Sequence, residues 1–261
     1  MARGRVLIIA GSDSSGGAGV QADIKTVTAL GGYAASAITA ITVQNTLGVT
    51  GVQMLSPELV EAQARAVLED IGADAIKIGM LGEAAEAVVR VLDDWPDIPV
   101  VLDPVMIAKG GAALADARTI EALRRRLLPR AALLTPNVPE AAALTGLNVE
   151  TTDDLRRAGE ALLAAGCRAV LMKGGHIAGD TVVDLLMNRE GETTFAGPRI
   201  ETHHTHGTGC TLASACAVGL AQGLSLEAAA ARAWGYVAEA IRRAPGFGAG
   251  AGPLDHGWPL L

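Results

Sequence analysis

Five short runs of almost uninterrupted apolar residues set the main constraint on how this chain folds. They are Val6-Leu-Ile-Ile-Ala10, Ala75-Ile-Lys-Ile-Gly79, Val100-Val-Leu-Asp103, Ala131-Ala-Leu-Leu-Thr135 and Ala169-Val-Leu-Met-Lys173. A strand with one wet face alternates apolar and polar residues; these runs do not, so both of their faces must be covered. Stretches of helical periodicity separate them, and apolar strands with helical crossovers give a mostly parallel sheet with helices on both faces, a doubly wound α/β fold. Ala34–Val43 and Val49–Leu55 are further predicted strands, and a helix is predicted near Val20–Leu30. Ser56 caps a helix that starts at Pro57 and runs to about Ile71. Thr181–Met187 and Glu192–Ala196 read as an antiparallel hairpin, and Arg199–Thr205 as an extended segment. The Gly/Ala/Pro-rich stretch from Ala244 to Pro253 reads as a loop. With neither repeat nor linker, residues 1–261 are expected to form one domain.

Doubly wound sheets bind ligands at the carboxyl ends of their strands. Polar residues and glycines gather there: Gly11-Ser-Asp13, Gln44-Asn45, Gly79-Met80, Asp103-Pro104, Thr135-Pro-Asn137 and Lys173-Gly-Gly-His176. The most informative turn is His206-Gly-Thr-Gly-Cys-Thr211, leading into a small-residue helix from Thr211. Gly207, Thr208 and Gly209 leave backbone N–H groups open to an anion, and Cys210 sits at the positive helix end, where its pKa is expected to fall. The plainer readings are a tight turn and a small buried thiol. The Gly11–Gly19 loop is neither a Walker loop nor a dinucleotide fingerprint. It can still wrap a small ligand, with Gln21 and Asp23 behind it to meet a polar heterocycle. Lys173, ending a buried strand, calls for an anionic partner such as a nucleotide phosphate. Asp103 and Glu140 are the candidates to hold Mg2+, although Glu in a first helical turn is also ordinary dipole compensation. Together these residues point to a phosphotransferase. The rival is a hydrolase with Cys210 as nucleophile and His203, His204 or His206 as its base. It ranks lower because those histidines immediately precede the turn.

A net charge of −7 gives no basic field for nucleic acid. The first apolar strand is too short for a signal-peptide core, and no later apolar run is long enough to span a membrane. Cys167, Cys210 and Cys216 make neither a zinc pattern nor an even disulfide set, so a reducing, cytoplasmic setting is expected.

The assembled motifs resemble the hydroxymethylpyrimidine/phosphomethylpyrimidine kinases of thiamine biosynthesis, within the ribokinase-like superfamily. The resemblance spans the chain. It rests on residues 10–26, Ser36-Ala-Ile-Thr-Ala40 with Gln44-Asn-Thr46, Lys77-Ile-Gly-Met-Leu81, Leu102-Asp-Pro-Val-Met106, Thr135-Pro-Asn137 with Glu140, Lys173-Gly-Gly-His176 and Thr205–Thr211. It implies ATP-dependent phosphorylation of 4-amino-5-hydroxymethyl-2-methylpyrimidine, then of its monophosphate. It also implies that Gly11, Asp23 and Gln44 hold the pyrimidine, lined by Met80 and Val105. Gly207, Thr208 and Gly209 would form the anion hole, and Cys210 would stand where related sugar kinases carry an aspartate base. Asp103, Asn137 and Glu140 fall on the Mg-ATP side and Lys173 on the phosphates; a homodimer is the expected assembly. His204 stands where asparagine is usual and Val43 where alanine is, and Lys109-Gly-Gly-Ala-Ala-Leu114 lacks the usual Ser-Gly-Asp after its lysine. Two alternatives remain: a pyridoxal kinase of the cysteine-bearing branch, and a non-catalytic binding regulator.

Overall fold

Within β1 (Arg5–Asp13), neighbouring side chains go to different cores: Leu7 and Ile9 join one apolar cluster, Val6, Ile8 and Ala10 another. That two-sided burial is why the strand reads as an unbroken apolar run. The computed structural model describes residues 3–106 and 117–260. After β1 come α1 (Gly19–Ala29), β2 (Tyr33–Asn45), β3 (Gly48–Met54), α2 (Pro57–Asp70), β4 (Ala75–Ile78) and α3 (Ala85–Asp94). The middle of the chain holds β5 (Val100–Leu102), α4 (Ala117–Ala122), β6 (Ala131–Leu134), α5 (Val138–Thr145) and α6 (Thr152–Ala164). It closes with β7 (Ala169–Met172), β8 (Thr181–Asn188), β9 (Gly191–Pro198), α7 (Thr208–Ala221) and α8 (Leu226–Arg242).

The strands form one sheet in the order β3-β2-β1-β4-β5-β6-β7-β8-β9. From β2 to β7 neighbours are parallel; β3 at one edge and β8 and β9 at the other are antiparallel. Helices α2, α3, α5 and α6 cover one face, and α1, α7 and α8 the other. The doubly wound reading therefore holds, as does the hairpin β8–β9. Chain order reverses across β1, which lies between β2 and β4, and such a switch point opens a crevice at the strand ends.

Local signals act as read at α2, where Ser56 Oγ accepts from Leu59 N and Pro57 takes the first helical position. Two expectations differ. Helix α7 begins at Thr208, three residues before the predicted Thr211, because Gly207 caps it in the left-handed region at φ 84°. Residues 199–205 belong to no strand. They carry the chain from the edge strand β9 to α7, which packs under β1, β4 and β5, so they cross the strand ends where no partner strand lies. The Ala244–Pro253 loop is strapped down: Ala251 N donates to Thr46 O at 2.9 Å and His206 N to Gly252 O at 3.1 Å. The Lys109–Leu114 segment lies outside the described residues. Among the described residues, no helix is long and apolar enough to cross a membrane.

Candidate active site

A cavity of about 820 Å³ opens along the carboxyl ends of the parallel strands. Gly11, Gln44, Met80 and Val105 line one part of it, Asp103, Asn137, Glu140 and Lys173 another, and Gly207, Thr208, Gly209 and Cys210 lie on its wall as well. Asp23 does not. It is fully buried beneath, with Lys77 Nζ donating to its Oδ2 at 2.8 Å and Ser214 Oγ to its Oδ1 at 2.7 Å. The expected contact of Asp23 with a heterocycle is corrected accordingly: both oxygens already serve Lys77 and Ser214. Lys77 was read as part of an apolar strand and of the motif Lys77-Ile-Gly-Met-Leu81 but not as a site residue, yet it reaches the cavity wall; its signal was a lysine inside an otherwise apolar run.

The turn at Gly207 is built by close approach. A Cβ there would lie 1.8 Å from Gly17 O, so the two glycine-rich loops touch backbone to backbone. A Cβ on Gly209 would lie 3.2 Å from Lys173 Nζ, which places the first turn of α7 against the lysine. Cys210 follows in that turn. Its thiol is not lowered as expected but pushed up to about 12. Burial is the largest cause, and Asp23 and Asp103 add to it against the pull of Lys77 and of the Gly19 N–H. Desolvation outweighs the helix end here. None of His203, His204 and His206 hydrogen-bonds Cys210, so the hydrolase arrangement is not formed; His206 turns to Asp13 instead.

Lys173 has its anionic partner in the protein itself, where the sequence had suggested a phosphate. Nζ lies 3.1 Å from Asp103 Oδ1 and 3.9 Å from Glu140 Oε2, and Thr135 Oγ1 donates to the same Asp103 oxygen at 3.1 Å. Burial disfavours the ammonium, but Asp103 and Glu140 hold it charged, with its pKa raised. Asn137 and Glu140 form a capping box on α5: Asn137 Oδ1 accepts from Glu140 N at 2.9 Å and Glu140 Oε2 from Asn137 N at 2.8 Å. Glu140 is thus a helix cap and a wall residue at once. Burial, with Asp103 adding, pushes its carboxyl up to about 7 despite Lys173. Asp103 and Glu140 bring two carboxylates to one cavity wall with Lys173 beside them, a donor set that fits a cation held also by phosphates. Among the described residues no group of three His, Cys, Asp or Glu forms a closed metal cluster. Behind Lys173, Asp184 of β8 accepts from Gly174 N at 2.8 Å and steadies the turn.

On the wall formed by Gly11 and Met80, a Cβ on Gly11 would lie 3.1 Å from Met80 Sδ, so glycine keeps this wall open. One pairing here escaped the sequence reading, although both of its residues stood in motifs it singled out. Asp13 accepts from Ser15 N and Ala18 N, both at 2.8 Å, and lies 2.8 Å from His206 Nε2. Burial would raise the Asp13 pKa, but His206, Ser15 and Ala18 hold it at about 2. His206 had been weighed only as a base for Cys210; nothing in the sequence links it to a residue 193 positions away.

The sequence profile described as phosphomethylpyrimidine kinase matches residues 13–255. The hydroxymethylpyrimidine/phosphomethylpyrimidine kinase of Streptomyces coelicolor is 51% identical over 257 residues, covering 98% of this chain and 95% of that one. A crystal structure of phosphomethylpyrimidine kinase from Clostridium difficile is similar with a TM-score of 0.81 at 42% identity, covering 91% of this chain and 99% of that one. An ADP complex of Bacillus subtilis pyridoxal kinase gives a TM-score of 0.91 at 33% identity, covering 98% of both.

Proposed function

This chain belongs to the phosphomethylpyrimidine kinase family, and from that premise we propose the chemistry of its site. The chain is a kinase of thiamine biosynthesis that phosphorylates 4-amino-5-hydroxymethyl-2-methylpyrimidine and then the monophosphate, with ATP as donor. The observation that carries the site assignment is the meeting of Lys173 and Asp103 with the first turn of α7 on one cavity wall. Gln44, Gly11, Met80 and Val105 hold and line the pyrimidine; Asn137 and Lys173 lie on the ATP side.

In the first step the hydroxymethyl oxygen bonds to the γ-phosphorus, the bond to the ADP oxygen breaks, and the alcohol proton leaves. The N–H groups of Gly207, Thr208 and Gly209 and the Lys173 ammonium stand where charge builds on the transferring phosphoryl group. Asp103 and Glu140 would hold Mg2+, which supplies positive charge to the phosphates when bound. Cys210 takes the alcohol proton as general base. In the second step the nucleophile is a phosphate oxygen that is already ionised, so no base is required.

The single nine-stranded sheet supports reading the chain as one kinase domain. Exposed Ile41 and Val43, two residues apart on β2, support a homodimer, which sedimentation velocity tests directly. Free Cys167, Cys210 and Cys216 support a reducing, cytoplasmic setting. Pyridoxal is the second reading, favoured by the fit to the Bacillus subtilis pyridoxal kinase. A coupled ADP-release assay with both alcohols decides. We expect kcat/KM at least tenfold higher for the pyrimidine, a factor worth about 1.4 kcal/mol of transition-state binding. Equal or reversed values overturn the substrate assignment.

A further inference from the structure

Arg199 directly follows β9 and opens the segment that crosses the strand ends toward Gly207. Its guanidinium is spread over the loop that follows Lys173. Nε donates to Gly179 O at 2.7 Å, Nη1 to Gly175 O at 2.9 Å and Nη2 to Ile177 O at 2.6 Å. Its backbone N–H donates to Asp180 O at 2.7 Å, one step beyond the Thr181–Pro198 pair that ends the β8–β9 ladder. One side chain thus gathers the carbonyls of alternate residues 175, 177 and 179 and bends the loop into an arc around a planar cation. Residues 174–180 belong to no helix or strand, and most of them are exposed. Within the loop the backbone bonds to itself from Ile177 N to Gly174 O at 2.9 Å. Its start is held separately, by Gly174 N on Asp184 Oδ1 at 2.8 Å. Lys173, Gly175, His176 and Arg199 all line the cavity. Lys173 is ion-paired with Asp103 and Glu140, whereas Arg199 has no carboxylate partner among the described residues and gives its donors to neutral carbonyls.

We propose that Arg199 is a positioning residue for the nucleotide: it holds residues 174–180 in the arc that walls the cavity beside Lys173, so that ATP meets a wall already shaped for it. This rests on the functional reading above, which puts Lys173 on the ATP side. A loop released from the guanidinium has to be ordered by the ligand, and the free energy of that ordering is lost from the affinity. The three carbonyls drawn to Arg199 also direct their negative ends at a cation, in a site that receives polyanionic phosphates. Lysine is no substitute, because an ammonium is a point charge without the fork that spans several acceptors.

The test is steady-state kinetics in ATP and in the pyrimidine alcohol, with ADP binding by calorimetry, in the unaltered protein and in Arg199→Lys, Arg199→Met and Arg199→Ala. Arg199→Lys keeps the charge and removes the fork. Both it and Arg199→Met should raise KM for ATP about tenfold and weaken ADP in step, with kcat and KM for the alcohol changed less than about twofold, the pattern of lost ground-state binding. In Arg199→Ala, dilute guanidinium chloride supplies the missing group and should lower KM for ATP, whereas urea at the same concentration should not. Amide exchange in Arg199→Lys should quicken at residues 174–180 and stay unchanged in β1, β4 and β5, which also shows that the variant is folded. An unchanged KM for ATP in Arg199→Lys, unchanged exchange at 174–180, or equal rises in both KM values each overturn the clamp and leave the functional reading standing. An unaltered protein that binds no adenine nucleotide overturns both.

Discussion

Cys210 shows how one side chain is pulled in two directions. The end of α7 and Lys77 favour its thiolate, whereas burial keeps the proton on, and burial wins. A base that rests protonated leaves a kinetic signature. Phosphorylation of the alcohol should rise nearly tenfold per pH unit between pH 7 and 9, while phosphorylation of the monophosphate stays flat. Cys210→Ala should slow the alcohol step by ~10²–10⁴-fold and the monophosphate step far less, the usual span of general-base help. Cys210→Asp, already ionised at neutral pH, should restore part of the first step and flatten its pH dependence. Equal losses in both steps would remove Cys210 from proton transfer. The Asp23–Lys77 pair beneath it makes a separate claim on stability. Both side chains are fully buried, so Lys77→Met strands a carboxylate and should cost about 3–5 kcal/mol in urea unfolding. The double variant Asp23→Asn, Lys77→Met should recover much of that. If the double variant unfolds as readily as the single one, the pair is not what Lys77 contributes.

At the scale of elements, α5 couples a cap to a charge. Because Asn137 fixes Glu140 through the capping box, Asn137→Ala should cost about 0.5–2 kcal/mol of stability. It should also raise the Mg2+ concentration needed for half-maximal rate, by letting the carboxylate swing. An unchanged Mg2+ requirement would mean that the glutamate is only a cap. The same scale shows what the sequence made legible. Strands β1, β4, β5, β6 and β7 stood out because burial on both faces erases alternation, and α2 stood out because Ser56 and Pro57 carry the cap chemistry in their own residue types. The candidate residues at strand ends meet in one cavity for the same topological reason. The pairing of Asp13 with His206 was not legible, since it forms only when the Gly17–Gly207 contact brings the two loops together. Asp23 misled because an aspartate behind a glycine-rich loop looks the same in sequence whether it faces a ligand or, as here, a lysine from β4.

For the molecule as a whole, buried ionisable groups tie stability to pH. His256 is buried, with Nε2 3.0 Å from Thr211 Oγ1; burial first, then Lys25, lowers its pKa to about 4. The folded state therefore refuses a proton that the unfolded chain takes up near pH 6.5, and stability is lost as pH falls from there to about 4. The shift corresponds to roughly 3 kcal/mol. Glu140 and Asp184, both raised by burial, run in the opposite direction across much of that window. The expected signature is thus a difference: wild type should lose stability relative to His256→Asn between pH 7 and 4 in urea unfolding. Parallel curves would show that the histidine titrates alike in both states. The strap that joins Gly250 and Ala251 to Thr46, and Gly252 to His206, has a consequence in time. Thr46 lies 204 positions before Gly250, so at ~5–20 residues per second a ribosome finishes the second roughly 10–40 s after the first. The N-terminal strands can pair during that interval, but the side of the cavity near Gln44 waits for the loop of residues 244–253. A nascent chain stalled before residue 250 should acquire its early strands and still lack a substrate pocket.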